Sequence, residues 1–323
     1  MTHFLNGLEP VFNKIENAMT RRFSSHLPFV NEVSEYILFS GGKRIRPFLS
    51  VCSARICGHD GDEAVYDLSV VPEYLHAASL LHDDVIDGGE VRRGKPAAYK
   101  VWGNKATVLV GDHLYAKAIE LASSFNDVRI SKTISGTVAL MSEGEIIQLL
   151  ESQKSSFNEE TYYKIIHRKT AALISASCRI GALFAGADDE KVEALTTYGH
   201  NLGLVFQIVD DMLDFTADED ELGKSLGKDL SEGKITLPIA HAMAKSSKDD
   251  HETLLRILAF ENITQEDLNR VCDILEKTGS LNMCRKKAES LINEACKKLS
   301  LFPDSATKTL LLELAAYVLK RRR

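Results

Sequence analysis

The stretch 108–125, VLVGDHLYAKAIELASSF, spaces its apolar residues as one face of a helix rather than in strand-like alternation. Similar patterns flank it on both sides, at about 8–20, 28–40, 45–57, 62–87 and 105–125, then 128–152, 158–185, 188–216, 234–246, 250–260, 265–278, 280–299 and 304–320. Start signals stand at Asn158-Glu159-Glu160, Asp188-Asp189-Glu190 and Thr264-Gln265-Glu266-Asp267, with Gly88 and Gly279 as stops. Seven prolines and a hydrophobic content of 44% suit helices around a large core, and no strand is needed. No Pro/Gly/Ser-rich linker, repeat or low-complexity tract divides the 323 residues, so residues 1–323 read as a single domain. The expected architecture is an all-α, large single-domain helical bundle. Helices of about 25 residues span nearly 40 Å, enough to wall a deep central cavity.

Two of these helical patterns end in the same motif, Asp-Asp-x-x-Asp: Asp83, Asp84 and Asp87 in LLHDDVIDGG, and Asp210, Asp211 and Asp214 in FQIVDDMLDF. On a helix, offsets of zero, one and four fall within about 100° of arc, which predicts one carboxylate face per triplet. Such a face is self-repelling, and at Asp87 the helix C-terminus disfavours anions further. A cation is therefore expected there. Carboxylates without thiolates or a histidine cage suit hard Mg²⁺, which commonly shares its coordination with substrate phosphates.

A net charge of −7 argues against nucleic acid as a partner, because phosphate backbones call for a basic footprint. The closing Lys320-Arg321-Arg322-Arg323 reads as a solvated tail, with peripheral membrane contact the most it could add. Six cysteines without a Cys-x-x-Cys pair fit a reducing cytoplasm, and neither a signal peptide nor an uncharged span of about 18 apolar residues is seen.

Basic elements recur near the aspartates. Gly41-Gly42-Lys43-Arg44-Ile45-Arg46-Pro47 feeds cations into a helix start, and Arg92-Arg93 follows the first triplet by about five residues. Near the second triplet come Gln207, one turn earlier, and the lysine-bearing loop GKSLGKDLSEGKITLP, while Lys169-Thr170 opens an apolar half-helix. Each alone is an ordinary basic cap or loop; together with two acidic motifs they indicate phosphate.

The ordered set GGKRIRP, LLHDDVID, RRG, KTA, FQIVDDMLD and GKSLGKDLSEGKITLP, over about residues 35–245, resembles the trans-isoprenyl diphosphate synthases, specifically their long-chain polyprenyl (octaprenyl or solanesyl type) branch. That resemblance implies the isoprenoid synthase fold, up to three Mg²⁺, and head-to-tail condensation of isopentenyl diphosphate onto an allylic diphosphate such as farnesyl diphosphate. It implies Asp83, Asp87 and Asp210 as direct metal ligands, supported by Asp84, Asp211 and Asp214. Arg92, Lys169 and Lys224 would hold the allylic diphosphate, and Lys43, Arg46, His76 and Arg93 the isopentenyl diphosphate. Thr170 and Gln207 would line the reacting carbons. A homodimer, with apolar faces around 105–125 at the interface, and a product feeding quinone side chains are also implied.

Product length is expected from Leu75, Ala78 and Ser79, which lie eight, five and four residues before Asp83. In the family aromatic residues at the last two positions form a floor; Ser79 and Ala78 leave the wall open, with a deeper floor near Leu121 or Ala122. Gly88-Gly89 departs from the polar residues usual in relatives and predicts a looser loop. A terpene cyclase or head-to-head synthase would not need GGKRIRP and Arg93. A shorter, geranylgeranyl-type synthase and a non-catalytic subunit of a heteromeric synthase are the alternatives, the latter expected to have lost aspartates. A phosphohydrolase would need a positioned water that apolar walls oppose.

Overall fold

The computed structural model describes residues 8–151, 158–216, 227–231, 233–259 and 263–321. In chain order the helices are α1 (Glu9–Arg22), α2 (Pro28–Leu38), α3 (Ile45–Ile56), α4 (Glu63–Asp87), α5 (Ala98–Trp102), α6 (Asn104–Ser123), α7 (Val128–Glu151) and α8 (Glu159–Ile166). A π-helical turn, His167–Ala171, joins α8 to α9 (Ala172–Phe184). Then follow α10 (Asp189–Thr216), α11 (Lys228–Ser231), α12 (Leu237–Lys245), α13 (Lys248–Leu258), α14 (Gln265–Lys277), α15 (Ser280–Lys298) and α16 (Ala306–Lys320). The chain is all-α. The expectation of no strand fails at one place, where β1 (Val91–Arg92) and β2 (Lys95–Pro96) pair antiparallel. Arg93 and Gly94 between them both have positive φ, the backbone that a tight two-residue hairpin requires.

Contacts divide the chain into two compact units with interleaved segments. The first comprises Met1–Ala139, Leu173–Gly199 and Leu299–Leu311; the second comprises Leu140–Ala172, His200–Lys298 and Leu312–Arg323.

In the first unit, α4 is the central helix. Its residues Val65, Leu68, Val71, Tyr74, Leu75, Ala78 and Leu81 are buried, an apolar surface too broad for a single stripe, and α1, α2, α3 and α6 all pack on it. Asp62 caps its start by accepting from the Val65 amide at 3.2 Å, and it stops at Gly88, whose φ of 67° places it in the left-handed C-cap conformation. Gly111 of α6 sets the approach to α4. A Cβ there would lie 2.4 Å from His82 Nε2, so only glycine admits the ring, which reaches the Val108 carbonyl at 3.1 Å.

In the second unit the core joins α12, α13 and α14 through Ile239, Ala242, Leu254, Ile257, Val271, Ile274 and Leu275, and Phe215 near the end of α10 packs into it. Thr264 and Asp267 form a reciprocal capping box at the start of α14, as their spacing predicts. Among the described residues no helix is long and apolar enough to cross a membrane. The six cysteines are free thiols, and burial pushes Cys52 and Cys178 up to about 12.

Candidate active site

The first unit assembles a cluster of cations. Arg44 precedes α3 with φ at 48°, a left-handed conformation costly for a non-glycine residue. Its buried guanidinium explains how this is held: Nε meets Glu16 at 2.6 Å, Nη1 meets Glu73 at 2.9 Å, and Nη2 donates to the Leu38 carbonyl at 2.7 Å. Burial opposes its charge, but the two carboxylates outweigh burial and raise its pKa. Arg44 is thereby spent on structure, and Lys43 and Arg46 on either side of it in sequence are half-buried. Arg46 is different. Its Nε is buried without a hydrogen-bond partner, and burial together with Arg93 lowers its pKa although Glu73 opposes the shift. Arg93 lies at the surface, held by Ser40 Oγ and the Gly41 carbonyl, yet the protein around its guanidinium lowers its pKa too. His76 is driven well below the ordinary imidazole range, first by burial and then by Arg46, Arg93, Arg92 and Arg44, so it is neutral at physiological pH. Cations pressed together at such cost, with one N–H left unsatisfied, mark a place for an anion.

The first aspartate triplet stands on the last turns of α4 in the same unit. The expected single carboxylate face splits. Asp84 is 1% exposed and turned inward, where Arg92 donates to its Oδ1 through Nε at 2.8 Å and Nη2 at 2.5 Å. Asp83 is half-buried and Asp87 exposed. A helix with 3.6 residues per turn places neighbours 83 and 84 about 100° apart, and the apolar packing around α4 buries the side of Asp84. Asp84 Oδ2 is buried with no hydrogen-bond partner. Leu75 and Ala78 are fully buried and Ser79 half-buried, one and two turns down the same helix.

In the second unit a hydrogen-bonded chain runs inward. Thr170 Oγ1 donates to Gln207 Oε1 at 3.0 Å, Gln207 Nε2 donates to Asp211 Oδ1 at 2.8 Å, and the Tyr162 hydroxyl donates to Asp211 Oδ2 at 2.5 Å. The local cause lies in two irregularities. Residues 167–171 form the π turn, closed by the Ala172 amide on the His167 carbonyl, and Gly203 of α10 meets this turn so closely that a Cβ would sit 2.6 Å from Ala171 Cα. Gln207, one turn beyond Gly203, is thus brought to Thr170. Asp211 is 2% exposed, and burial raises its pKa well above the carboxylate range against the opposing help of Tyr162 and Gln207. Lys169 Nζ sits on Glu145 at 2.7 Å and Gln148 at 3.0 Å.

The second triplet also splits rather than forming one face. Asp210 is exposed and paired with Arg321 at 2.8 Å, Asp211 is buried, and Asp214 Oδ2 accepts from the Asp229 amide at 3.1 Å, fixing the chain as it returns at α11. Accordingly, among the described residues no three His, Cys, Asp or Glu side chains converge as a metal cluster. Lys224 lies outside the described residues. The solvated tail expected at the C-terminus is corrected at Arg321, whose side chain is only 4% exposed. Sequence reasoning also missed Tyr162, Glu145 and Gln148, none of which carries a spacing signal; for Arg321 the available signal was the terminal run of basic residues.

The Polyprenyl synthetase family model matches residues 27–275. The chain is 35% identical over 309 residues to the octaprenyl diphosphate synthase of Escherichia coli (strain K12), covering 96% of this chain and 95% of the relative. It is 37% identical over 295 residues to the geranylgeranyl diphosphate synthase of Methanosarcina mazei, covering 90% and 89%. A solved polyprenyl synthase from Caulobacter crescentus CB15, complexed with calcium and isoprenyl diphosphate, superposes with a TM-score of 0.91 at 36% identity, over 99% of this chain and 97% of that one. Motifs, helices and near full-length similarity agree: the chain belongs to the polyprenyl synthetase family, and it is a prenyltransferase of the trans-prenyl diphosphate synthase type with the isoprenoid synthase fold.

Proposed function

We propose that the chain is a long-chain trans-polyprenyl diphosphate synthase that adds isopentenyl diphosphate repeatedly, head to tail, to an allylic primer such as farnesyl diphosphate. The observation that carries the reading is the cluster of Arg46, with its buried, unpartnered Nε, Arg93 and neutral His76, in the same unit as the first aspartate triplet. A head-to-head synthase or cyclase needs no second, homoallylic diphosphate site of this kind.

The donor set fits Mg²⁺: carboxylate oxygens without thiolate or imidazole, including the buried, unpartnered Oδ2 of Asp84. Asp83, Asp87 and Asp210 would hold the ions directly, up to three of them, with Asp84, Asp211 and Asp214 in support and substrate oxygens completing the coordination. Bound there, Mg²⁺ supplies Lewis-acid stabilisation of a departing diphosphate.

The chain's own groups do the rest. Arg92 and Lys169, now paired with Asp84 and Glu145, exchange those partners for the primer's diphosphate, with Lys224 beside them, and so meet its growing negative charge. Lys43, Arg46, His76 and Arg93 position isopentenyl diphosphate so that its double bond attacks the allylic carbon. Thr170 and Gln207, locked by their hydrogen bond, present fixed dipoles along the reacting carbons. The released diphosphate takes the proton lost on bond formation, so no side-chain base is required.

Ala78 and Ser79 favour a long product, whereas the similarity to a geranylgeranyl synthase favours a shorter one. Residues 1–323 are read as one domain because each of the two compact units draws on separated segments, so no single linker divides the chain. Exposed Leu109, at 67%, with Val108 and Ile119 on α6, supports a homodimer. A role in making quinone side chains in the cytoplasm follows from the branch. The test is incubation with Mg²⁺, farnesyl diphosphate and labelled isopentenyl diphosphate, followed by sizing of the extracted prenols. A ladder ending well beyond the farnesyl stage is expected; no elongation defeats the assignment, and a stop after one addition transfers it to the shorter class.

A further inference from the structure

Arg321 is held by three separate contacts. It follows directly on α16, and its guanidinium is packed 3.9 Å above the Phe206 ring, donates to the Phe206 carbonyl at 2.9 Å and pairs with Asp210 at 2.8 Å. The side chain is 4% exposed although its carboxylate partner is 58% exposed, so the arginine, not the aspartate, is the anchored member of the pair. Its Nε is buried and unpartnered among the described residues. Stacking holds the cation in position, and the same Nη2 donates to both the Phe206 carbonyl and Asp210 Oδ1.

We propose that Arg321 is a positioning residue that acts as a built-in counter-ion for Asp210, competing with divalent metal for that carboxylate. This rests on the reading of Asp210 as a metal ligand. The physical basis is exclusion: an oxygen bonded to a guanidinium must give up that bond to enter a metal's coordination shell, and a fixed positive charge beside the site repels the incoming ion. The metal is therefore taken up tightly only with an anion that offsets the arginine. Diphosphate is such an anion, and Arg321 thereby couples metal uptake to substrate arrival.

The experiment counts free Mn²⁺ by electron paramagnetic resonance during titration of the full chain without substrate, in wild type, Arg321→Gln, Asp210→Asn and the double variant. Arg321→Gln should bind Mn²⁺ at least about threefold more tightly, the order expected from releasing one partly exposed ion pair. That gain should vanish in the Asp210→Asn background, and Arg321→Lys, which keeps the charge, should restore weaker binding. A purely structural anchor would give the opposite sign, because a loosened fold does not bind metal more tightly. Phe206→Leu, which removes the shelf but keeps the arginine, should shift affinity in the same direction by less. If Asp210→Asn leaves Mn²⁺ binding unchanged, Asp210 is no ligand and the underlying reading fails. If Asp210→Asn loses affinity while Arg321→Gln gains none, or if neither wild type nor Arg321→Gln takes up Mn²⁺, the competition is refuted.

Discussion

Replacing Gly111 with alanine tests how the first aspartate motif is seated. The new methyl would lie 2.4 Å from His82 Nε2 and 2.5 Å from its Cδ2, about 1 Å inside ordinary contact, while the Ala78 carbonyl at 3.4 Å can be accommodated. Either the ring leaves or α4 and α6 separate. Expelling the ring forfeits its 3.1 Å bond to the Val108 carbonyl, about 0.5–1.5 kcal/mol, whereas separating the helices costs about 1–3 kcal/mol of overpacking strain. Alanine recovers up to about 1 kcal/mol through its better helix propensity. The cheaper route, expelling the ring, sets the net expectation at between no change and a loss of about 1.5 kcal/mol. Urea unfolding of wild type, Gly111→Ala, His82→Ala and the double variant, followed by circular dichroism, isolates the cause. With the ring removed, the same alanine should be neutral or stabilising by up to about 1 kcal/mol, a coupling of about 0.5–1.5 kcal/mol. An equal loss in both backgrounds would refute the steric account. Because His82 adjoins Asp83, Gly111→Ala should also lower kcat.

Other outcomes follow from the same structure. His76 has a folded-state pKa lowered well below 6.5, so below that pH the unfolded chain takes a proton that the native chain refuses. Stability should therefore fall as pH drops below about 6.5, at up to about 1.4 kcal/mol per pH unit, and His76→Gln should flatten that slope in urea titrations at pH 7.5 and 5.5; an unchanged slope would exclude His76 as its source. Tyr162→Phe removes one of the two donors to buried Asp211 and should cost about 1–3 kcal/mol, with a smaller further loss when Gln207→Ala is added; full additivity would show that they do not act as a unit. Ser79→Phe should stop the prenol ladder earlier, and an unshifted ladder would remove Ser79 from the product wall. Gly88→Ala, at φ 67°, should cost about 1 kcal/mol through left-handed strain, read as a lowered melting temperature.

Most helices were legible because their apolar period is set by burial on one side and their ends by caps that act locally. Asn158 accepts from Thr161 and Thr264 from Asp267, as their spacing predicts. The hairpin at 91–96 escaped notice because it is too short to show alternation, and α5 because five residues cannot display a helical period. The splitting of each aspartate triplet was not legible at all. Spacing gives the arc over which carboxylates point, but which part of that arc faces core or solvent is decided by helices distant in sequence. Arg321 illustrates the same limit: nothing local separates it from its charged neighbours, and Phe206 and Asp210 lie more than a hundred residues away.

The π turn at His167–Ala171 introduces a phase slip. An extra residue is accommodated within the turn, so Thr170 stands at a different helical phase from Tyr162 of α8 than one continuous α-helix would give it. Deleting one residue here would let the backbone close as ordinary α-helix, yet it would rotate everything on one side of the deletion relative to the other. Either Tyr162 would turn away from Asp211 or Thr170 away from Gln207. The least regular turn in this part of the chain is thus what keeps Tyr162 and Thr170 in working register on Asp211 and Gln207, and a conventional helix-straightening design would disable it.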